Sequence, residues 1–268
     1  MRKKGSKTEV MFIAIDVGNT HIVFGAMEED RILFSSRVTT DRRKTSDEYA
    51  GVFRNLIHMH HMSTRDIEGG IISSVVPSLR EILKEAVYEI SGAECMVVGP
   101  GVKNGLKLCV DAPAQVGADR VTDAVGAVSE YPLPILIIDM GTATTFSVVN
   151  EKKEFLGGLI MPGVMVSLDA LVSGTSQLPQ ISLAEKPTRV IGKNTIECMR
   201  HGAQYGNAAM IDGVIDRVTE ELGKRPTVVA TGGNSRYIIP YCRQEIIVDR
   251  DLLVKGLRKI YFMNRKNK

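Results

Sequence analysis

The sequence predicts an α/β protein made of two related halves. Two short apolar runs, Val10 to Ile15 and Leu136 to Ile138, each end in aspartate, one further residue and glycine: Asp16-Val17-Gly18-Asn19-Thr20 and Asp139-Met140-Gly141-Thr142. Each half opens with strand-like segments and continues with alternating strands and helices, the order of an α/β chain. A length of 268 residues is enough for two packed domains.

The elements follow in order. Residues 1–9 read as a flexible basic extension. Val10 to Ile15 is a near-continuous apolar strand, the pattern of a central position. His21 to Ala26 continues as the second strand of a hairpin, and Arg31 to Val38 as a third strand. Thr45-Ser46-Asp47-Glu48 is a capping box that opens a helix to about His60, with Tyr49, Val52, Phe53, Leu56 and Ile57 at helical spacing. Gly70 to Pro77 is a buried strand, Pro77 to about Ile90 a helix, and Met96 to Val98 a short strand. A helix spans Val121 to Glu130. Tyr131-Pro132-Leu133-Pro134 marks the boundary, because two prolines bar helix and central strand alike. The expected domains are therefore 10–131 and 132–268.

In the second half the Asp139 strand, Phe146 to Val149 and Phe155 to Ile160 repeat the opening meander. Val164 to Val172 is a helix, and Ser173 to Arg189 a loop. Gly192-Lys193-Asn194-Thr195 opens a helix to about Leu222, with a bend allowed at Gly206. Thr227 to Asn234 is a strand ending in a Gly-Gly turn.

The totals exclude several classes. The chain is 44% hydrophobic and 24% charged, an ordinary globular balance. Net charge is +3, and the basic residues gather at the ends (Arg2, Lys3, Lys4, Lys7; Arg258, Lys259, Arg265, Lys266, Lys268). They read as solvated tails rather than a nucleic-acid surface. The first apolar run stops at Asp16, too short for a secretion signal, and no run approaches the ~20 residues of a membrane span. Cys95, Cys109, Cys198 and Cys242 show no Cys-x-x-Cys spacing and read as free thiols in a cytoplasmic protein. The His58, His60 and His61 spacing suits no common helical metal pair.

Chemistry concentrates at the two aspartate turns. Gly18 and Gly141 let backbone approach phosphate closely. Asn19, Thr20 and Thr142 offer neutral donors. Two carboxylates facing phosphate charges would repel them unless cations intervene, so Asp16 and Asp139 imply bound ions of the kind that take hard oxygen ligands. A nucleotide cleft between two domains is the first reading. Taken singly, each turn is also ordinary hairpin punctuation. Asp119-Arg120 could be an ion pair at a helix start, and Thr195 a helix cap.

In order, DVGNT, DMGT and Thr231-Gly232-Gly233 resemble the nucleotide turns of the actin, sugar-kinase and chaperone ATPase superfamily. With GADR (Gly117 to Arg120), GGLIMPG (Gly157 to Gly163) and GKNT, the sequence resembles type III pantothenate kinase from about residue 11 to 257. The resemblance implies two actin-like (ribonuclease H-like) domains, each a mixed five-stranded sheet with helices, around an ATP cleft. It implies transfer of the γ-phosphoryl group of ATP to the terminal hydroxyl of pantothenate, opening coenzyme A synthesis. Asp16, Val17, Gly18, Asn19, Thr20, His21, Ile22, Val23 and Thr142 would line the ATP site. Gly117, Ala118, Asp119, Arg120 and Thr195 would meet pantothenate, with Asp119 as proton acceptor. Asp139 would bind potassium or ammonium, magnesium would accompany ATP, and the working unit would be a homodimer. Neither nucleic acid nor membrane is an expected partner. The competing readings are a binding or transcription accessory protein of the same fold, and an ATPase acting on water.

Three features depart from the family's pattern. Val110 stands where the family usually has a tyrosine that contacts pantothenate. Gly174 to Pro179 reads GTSQLP rather than TAKLP, and Arg200-His201 replace a Gln-Ser pair.

Overall fold

The structure, a computed structural model, describes residues 10–265; the expected basic extension 1–9 and the last three residues lie outside them. The chain begins with strands β1 (Met11–Val17), β2 (His21–Met27) and β3 (Ile32–Thr39). Helix α1 (Ser46–Met59), β4 (Ile67–Ser74), α2 (Arg80–Ser91), β5 (Cys95–Val97), β6 (Lys107–Leu108) and α3 (Ala118–Glu130) follow. The second meander is β7 (Ile135–Met140), β8 (Ala143–Val149) and β9 (Glu154–Pro162). The chain continues through α4 (Val164–Ser173), α5 (Thr195–Leu222), β10 (Thr227–Thr231), α6 (Ser235–Ile238), β11 (Ile247–Val248) and α7 (Leu252–Asn264).

Contacts divide the chain into two compact units. The first holds residues up to Gly105, Ala112–Ser129 and those from Asp251 on; the second holds Leu106–Asp111 and Glu130–Arg250. The expected second domain, 132–268, had placed the last stretch with the second sheet. The contacts group it with the first, because α7 packs on β1 and β4.

The first unit is built on a five-stranded mixed sheet in the order β3-β2-β1-β4-β5. β1 lies at its centre, antiparallel to β2 and parallel to β4. Residues Met11 to Ile15 are accordingly buried without alternation. The capping box of α1 is formed as expected: Thr45 N donates to Glu48 Oε2 at 2.9 Å, and Glu48 N to Thr45 Oγ1 at 3.4 Å. Such a cap stabilises a helix by about 1 kcal/mol. The helix buries Tyr49, Phe53 and Ile57, spaced four apart, and Phe53 stacks on Phe24 with ring centroids 4.3 Å apart.

The second unit repeats the meander but carries six strands, in the order β11-β10-β7-β8-β9-β6. The sixth arises because Lys107 and Leu108 pair in parallel with Glu154 and Phe155 at the sheet edge. A strand of two residues leaves no periodic signal, and the same holds for Ile247 and Val248. Helix α5 runs as one 28-residue element past Gly206. Its buried Ala208, Ile211 and Ile215 share a core with Leu136, Ile138 and Phe146 of the sheet.

Two expectations change in detail. Helix α3 starts at Ala118 rather than Val121, which brings Asp119 and Arg120 into its first turn. Among the described C-terminal basic residues, Arg265 is not simply solvated. Arg258 and Lys259 lie on α7, and Arg265 stands 4.8 Å over the Phe12 ring and 3.5 Å from Glu68. All four cysteines are free, and burial pushes the Cys95 and Cys242 thiols up to about 12. No helix among the described residues is long and apolar enough to cross a membrane.

Helices α3 and α7 approach at glycines. A Cβ on Gly256 would lie 1.9 Å from Thr122 O, and one on Gly126 2.4 Å from Leu252 O. Gly256→Ala is therefore expected to lower stability by ~1–3 kcal/mol through overpacking. Gly51→Ala on α1, where a Cβ meets nothing within 4 Å, should be neutral or mildly stabilising. Urea unfolding of both variants checks this, and equal midpoints would contradict the glycine crossing.

Candidate active site

The first aspartate turn joins β1 to β2. Asp16 pairs with Val23 and Val17 with Ile22, and Gly18 N closes the turn onto His21 O at 3.0 Å. A Cβ on Gly18 would stand 3.1 Å from that same oxygen. Val17 and Ile22 are fully buried in the core, so only their backbone can face a ligand. Asn19, Thr20 and His21 are exposed, while Asp16 is half-buried with Oδ1 shielded from solvent. Three of the turn's carbonyl groups are engaged internally. Thr40 Oγ1 donates to Gly18 O at 2.7 Å, Thr40 N to Thr20 O at 3.0 Å, and Val75 N to Val17 O at 3.1 Å.

The second aspartate turn joins β7 to β8 and is closed in the same way, by Gly141 N on Ala143 O at 3.0 Å. Two pieces of distant sequence brace it through three hydrogen bonds. Gly163 N donates to Thr142 O at 2.9 Å, Asn234 N to Met140 O at 3.1 Å, and Asn234 Nδ2 to Gly141 O at 3.0 Å. Gly232, at φ +85°, lies so close that a Cβ there would stand 2.5 Å from Asp139 Oδ1. Asp139 is half-buried and Thr142 exposed. The TGG and MPG motifs thus converge on the DMGT turn, with Asn234 as a further member that sequence reasoning did not assign.

GADR forms the first turn of α3. Asp119 Oδ1 accepts from Arg120 N at 2.8 Å, and the carboxylate folds so close to Gly117 that a Cβ there would lie 2.3 Å from Oδ1. A side chain at position 117 would push the Asp119 carboxylate out of this position. Arg120 is half-buried, and burial pushes its guanidinium down from its ordinary value, with the charge of Asp119 acting the other way. It remains cationic.

Thr195 is the first residue of α5 and is exposed. The helix is capped by Asn194, whose Oδ1 accepts from Glu197 N at 2.9 Å, so capping does not account for Thr195. Glu197 ties down the preceding loop through Arg189 at 2.8 Å and Lys193 N at 2.9 Å. Those two donors hold its carboxyl down at about 2.

Two of the three departures resolve into structure. Arg200 bonds Ser182 O at 2.9 Å and pairs with Glu185, and His201 lies 3.2 Å from Val190 O, so both fasten the 182–190 loop to α5. Val110 packs beside Gly157, whose added Cβ would stand 3.6 Å from Val110 Cγ1. His60 stacks on Phe34 at 4.0 Å and lies 3.4 Å from Ser36 Oγ. No group of three or more His, Cys, Asp or Glu residues arranged for a metal occurs among the described residues.

Two mixed sheets, each opening with a meander whose first turn is Asp-x-Gly, make an actin-like α/β fold. Among solved structures, a Campylobacter jejuni protein described as a Baf family transcriptional activator superposes with a TM-score of 0.59, 19% identity and coverage of 94% of this chain and 98% of that one. Component A of the Acidaminococcus fermentans (R)-2-hydroxyglutaryl-CoA dehydratase gives 0.57, 17% identity, and 94% and 97% coverage. At such identities the likeness concerns the fold alone. The sequence is more specific. The type III pantothenate kinase family model matches residues 12–217. The type III pantothenate kinase of an Exiguobacterium species is 43% identical over 96% of this chain and 100% of its own length. That of Moorella thermoacetica is 41% identical over 95% and 100%. The chain belongs to the type III pantothenate kinase family.

The bracing of the second turn is testable. Gly232→Ala forces a left-handed backbone onto alanine and a methyl group into Asp139, and should cost ~1–3 kcal/mol or more of unfolding free energy. Urea titration checks this, and an unchanged midpoint would contradict the packing around Asp139.

Proposed function

We propose that this protein transfers the γ-phosphoryl group of ATP to the terminal hydroxyl of pantothenate, yielding ADP and 4'-phosphopantothenate, the first step of coenzyme A synthesis. The observation that carries this reading is the near end-to-end match to pantothenate kinases, including 43% identity to one of them. The local geometry of the motifs supports it.

The ATP-binding residues are Asp16 to Val23 and Thr142. Val17 and Ile22 act through backbone alone, and Asn19, Thr20 and Thr142 offer exposed polar groups. Both carboxylates fit hard cations. Asp16 has one shielded oxygen, and Gly232 keeps the space beside Asp139 Oδ1 clear of a side chain. Each cation would draw its remaining ligands from phosphate, water and backbone. Asp16 is the residue for magnesium through water, and Asp139 for potassium or ammonium. Bound there, these ions neutralise phosphate charge.

Gly117, Ala118, Asp119, Arg120 and Thr195 bind pantothenate. Asp119, held by the Arg120 amide, orients the hydroxyl. In a loose phosphoryl-transfer transition state the hydroxyl keeps its proton until late, so positioning matters more than early abstraction. As the bond from phosphorus to the ADP oxygen breaks and the bond to the pantothenate oxygen forms, the proton passes to Asp119. Arg120 offers a planar fork that suits pantothenate's carboxylate or the moving phosphoryl group.

The active form is a homodimer. In the second unit, β9 exposes Leu156, Leu159 and Ile160, and α4 exposes Met165, Val166 and Leu171. Exposed large apolar side chains on these two elements are candidates for burial against a second copy. A cytoplasmic location agrees with the four free thiols.

ADP release with magnesium-ATP should depend on pantothenate, and should collapse when potassium is replaced by sodium. Asp119→Asn should lower kcat roughly 10²–10⁴-fold. Activity of that variant above about a tenth of wild type would sink the role of Asp119. ADP release indifferent to pantothenate would point to an ATPase. ATP binding without turnover would favour the accessory-protein reading.

A further inference from the structure

The segment Asp41-Arg42-Arg43-Lys44 joins β3 to α1, and its three cations have different settings. Arg43 pairs with Asp41 at 3.2 Å, and Lys44 lies 5.6 Å from the centre of the Tyr49 ring. Arg42 instead donates from its guanidinium to Asn19 Oδ1, in the first aspartate turn, at 2.9 Å.

The backbone that carries Arg42 is fixed from both sides without this bond. Thr40 donates to Gly18 O at 2.7 Å and to Thr20 O at 3.0 Å. The hydroxyl of fully buried Tyr49 donates to Asp41 O at 2.8 Å and accepts from Asp41 N at 3.0 Å. A bond between two exposed side chains adds little to a segment already held in this way. What it does achieve is to seat a permanent cation on the turn. That turn, Asp16 to His21, contains no lysine or arginine of its own, and Asp16 adds a negative charge. Asn19 uses one of five guanidinium N–H groups, and the others suit phosphate oxygens in a planar fork.

We propose that Arg42 is a phosphate-binding residue of the Asp16 turn, its guanidinium seated on Asn19 and engaging the triphosphate of ATP. This rests on the reading of Asp16 to Val23 as the ATP site. Arg42 supplies the charge that the neutral donors Asn19 and Thr20 lack, and it favours nucleotides with more phosphates over those with fewer.

The test compares wild type, Arg42→Gln and Arg42→Lys by calorimetric titration with magnesium-ATP and with AMP, alongside steady-state kinetics. The glutamine variant should bind ATP and show a KM for ATP roughly ten- to hundred-fold weaker, while the KM for pantothenate and the affinity for AMP stay within about twofold. The lysine variant should recover part of the loss. ATP affinity unchanged in Arg42→Gln would overturn the proposal. So would equal losses for ATP and AMP with a lowered unfolding midpoint, since a merely structural tether predicts that pattern. A wild-type chain that fails to bind ATP would overturn the underlying kinase reading, an outcome distinct from either.

Discussion

The structure depends on one local device, used twice: an aspartate at the end of a central buried strand, followed by a glycine turn closed by its own backbone. At the first turn Gly18 N is spent on His21 O, and at the second Gly141 N on Ala143 O. The carbonyl groups are engaged as well, by Thr40 and Val75 at one turn and by Gly163 and Asn234 at the other. With the turns fixed internally, a half-buried carboxylate and exposed Asn or Thr side chains remain for a ligand. Rigid, preorganised polar groups of this kind cost little reorganisation when a charged substrate binds.

The second turn shows why motifs separated by many residues belong together. Asp139, Gly163 and the Gly232–Asn234 stretch lie far apart in the sequence, yet steric limits and hydrogen bonds tie them together. Gly163 sits where a Cβ would meet Thr142 O at 2.4 Å, and Gly232 where one would meet Asp139. Each glycine is defined by what it must not carry. The same logic places Gly117 against Asp119. In phosphoryl transfer, catalysis is chiefly positioning and electrostatic stabilisation.

Much of this was legible in the sequence, for physical reasons. Buried central strands read as apolar runs, the capping box at Thr45 marked α1, and paired Asp-x-Gly turns marked both meanders. What escaped was either too short or locally ambiguous. Lys107–Leu108 and Ile247–Val248 are strands only through their neighbours. Helix α7 carried a usable signal in Val254, Leu257, Ile260 and Tyr261, but Gly256 in its interior weakened it. That glycine is explained only by its approach to Thr122 in α3. The return of α7 to the first sheet is a tertiary fact that chain order conceals. Among the candidate site residues the turn positions were legible, whereas the brace at Asn234 and the seating of Arg42 on Asn19 required coordinates.

The most direct test of the kinase reading is the fate of the transferred phosphorus, followed by ³¹P NMR with ATP, magnesium, potassium and pantothenate. Transfer to pantothenate predicts a new phosphomonoester resonance that grows in step with ADP, with no matching inorganic phosphate. Inorganic phosphate growing in step with ADP, with no phosphomonoester, would contradict it.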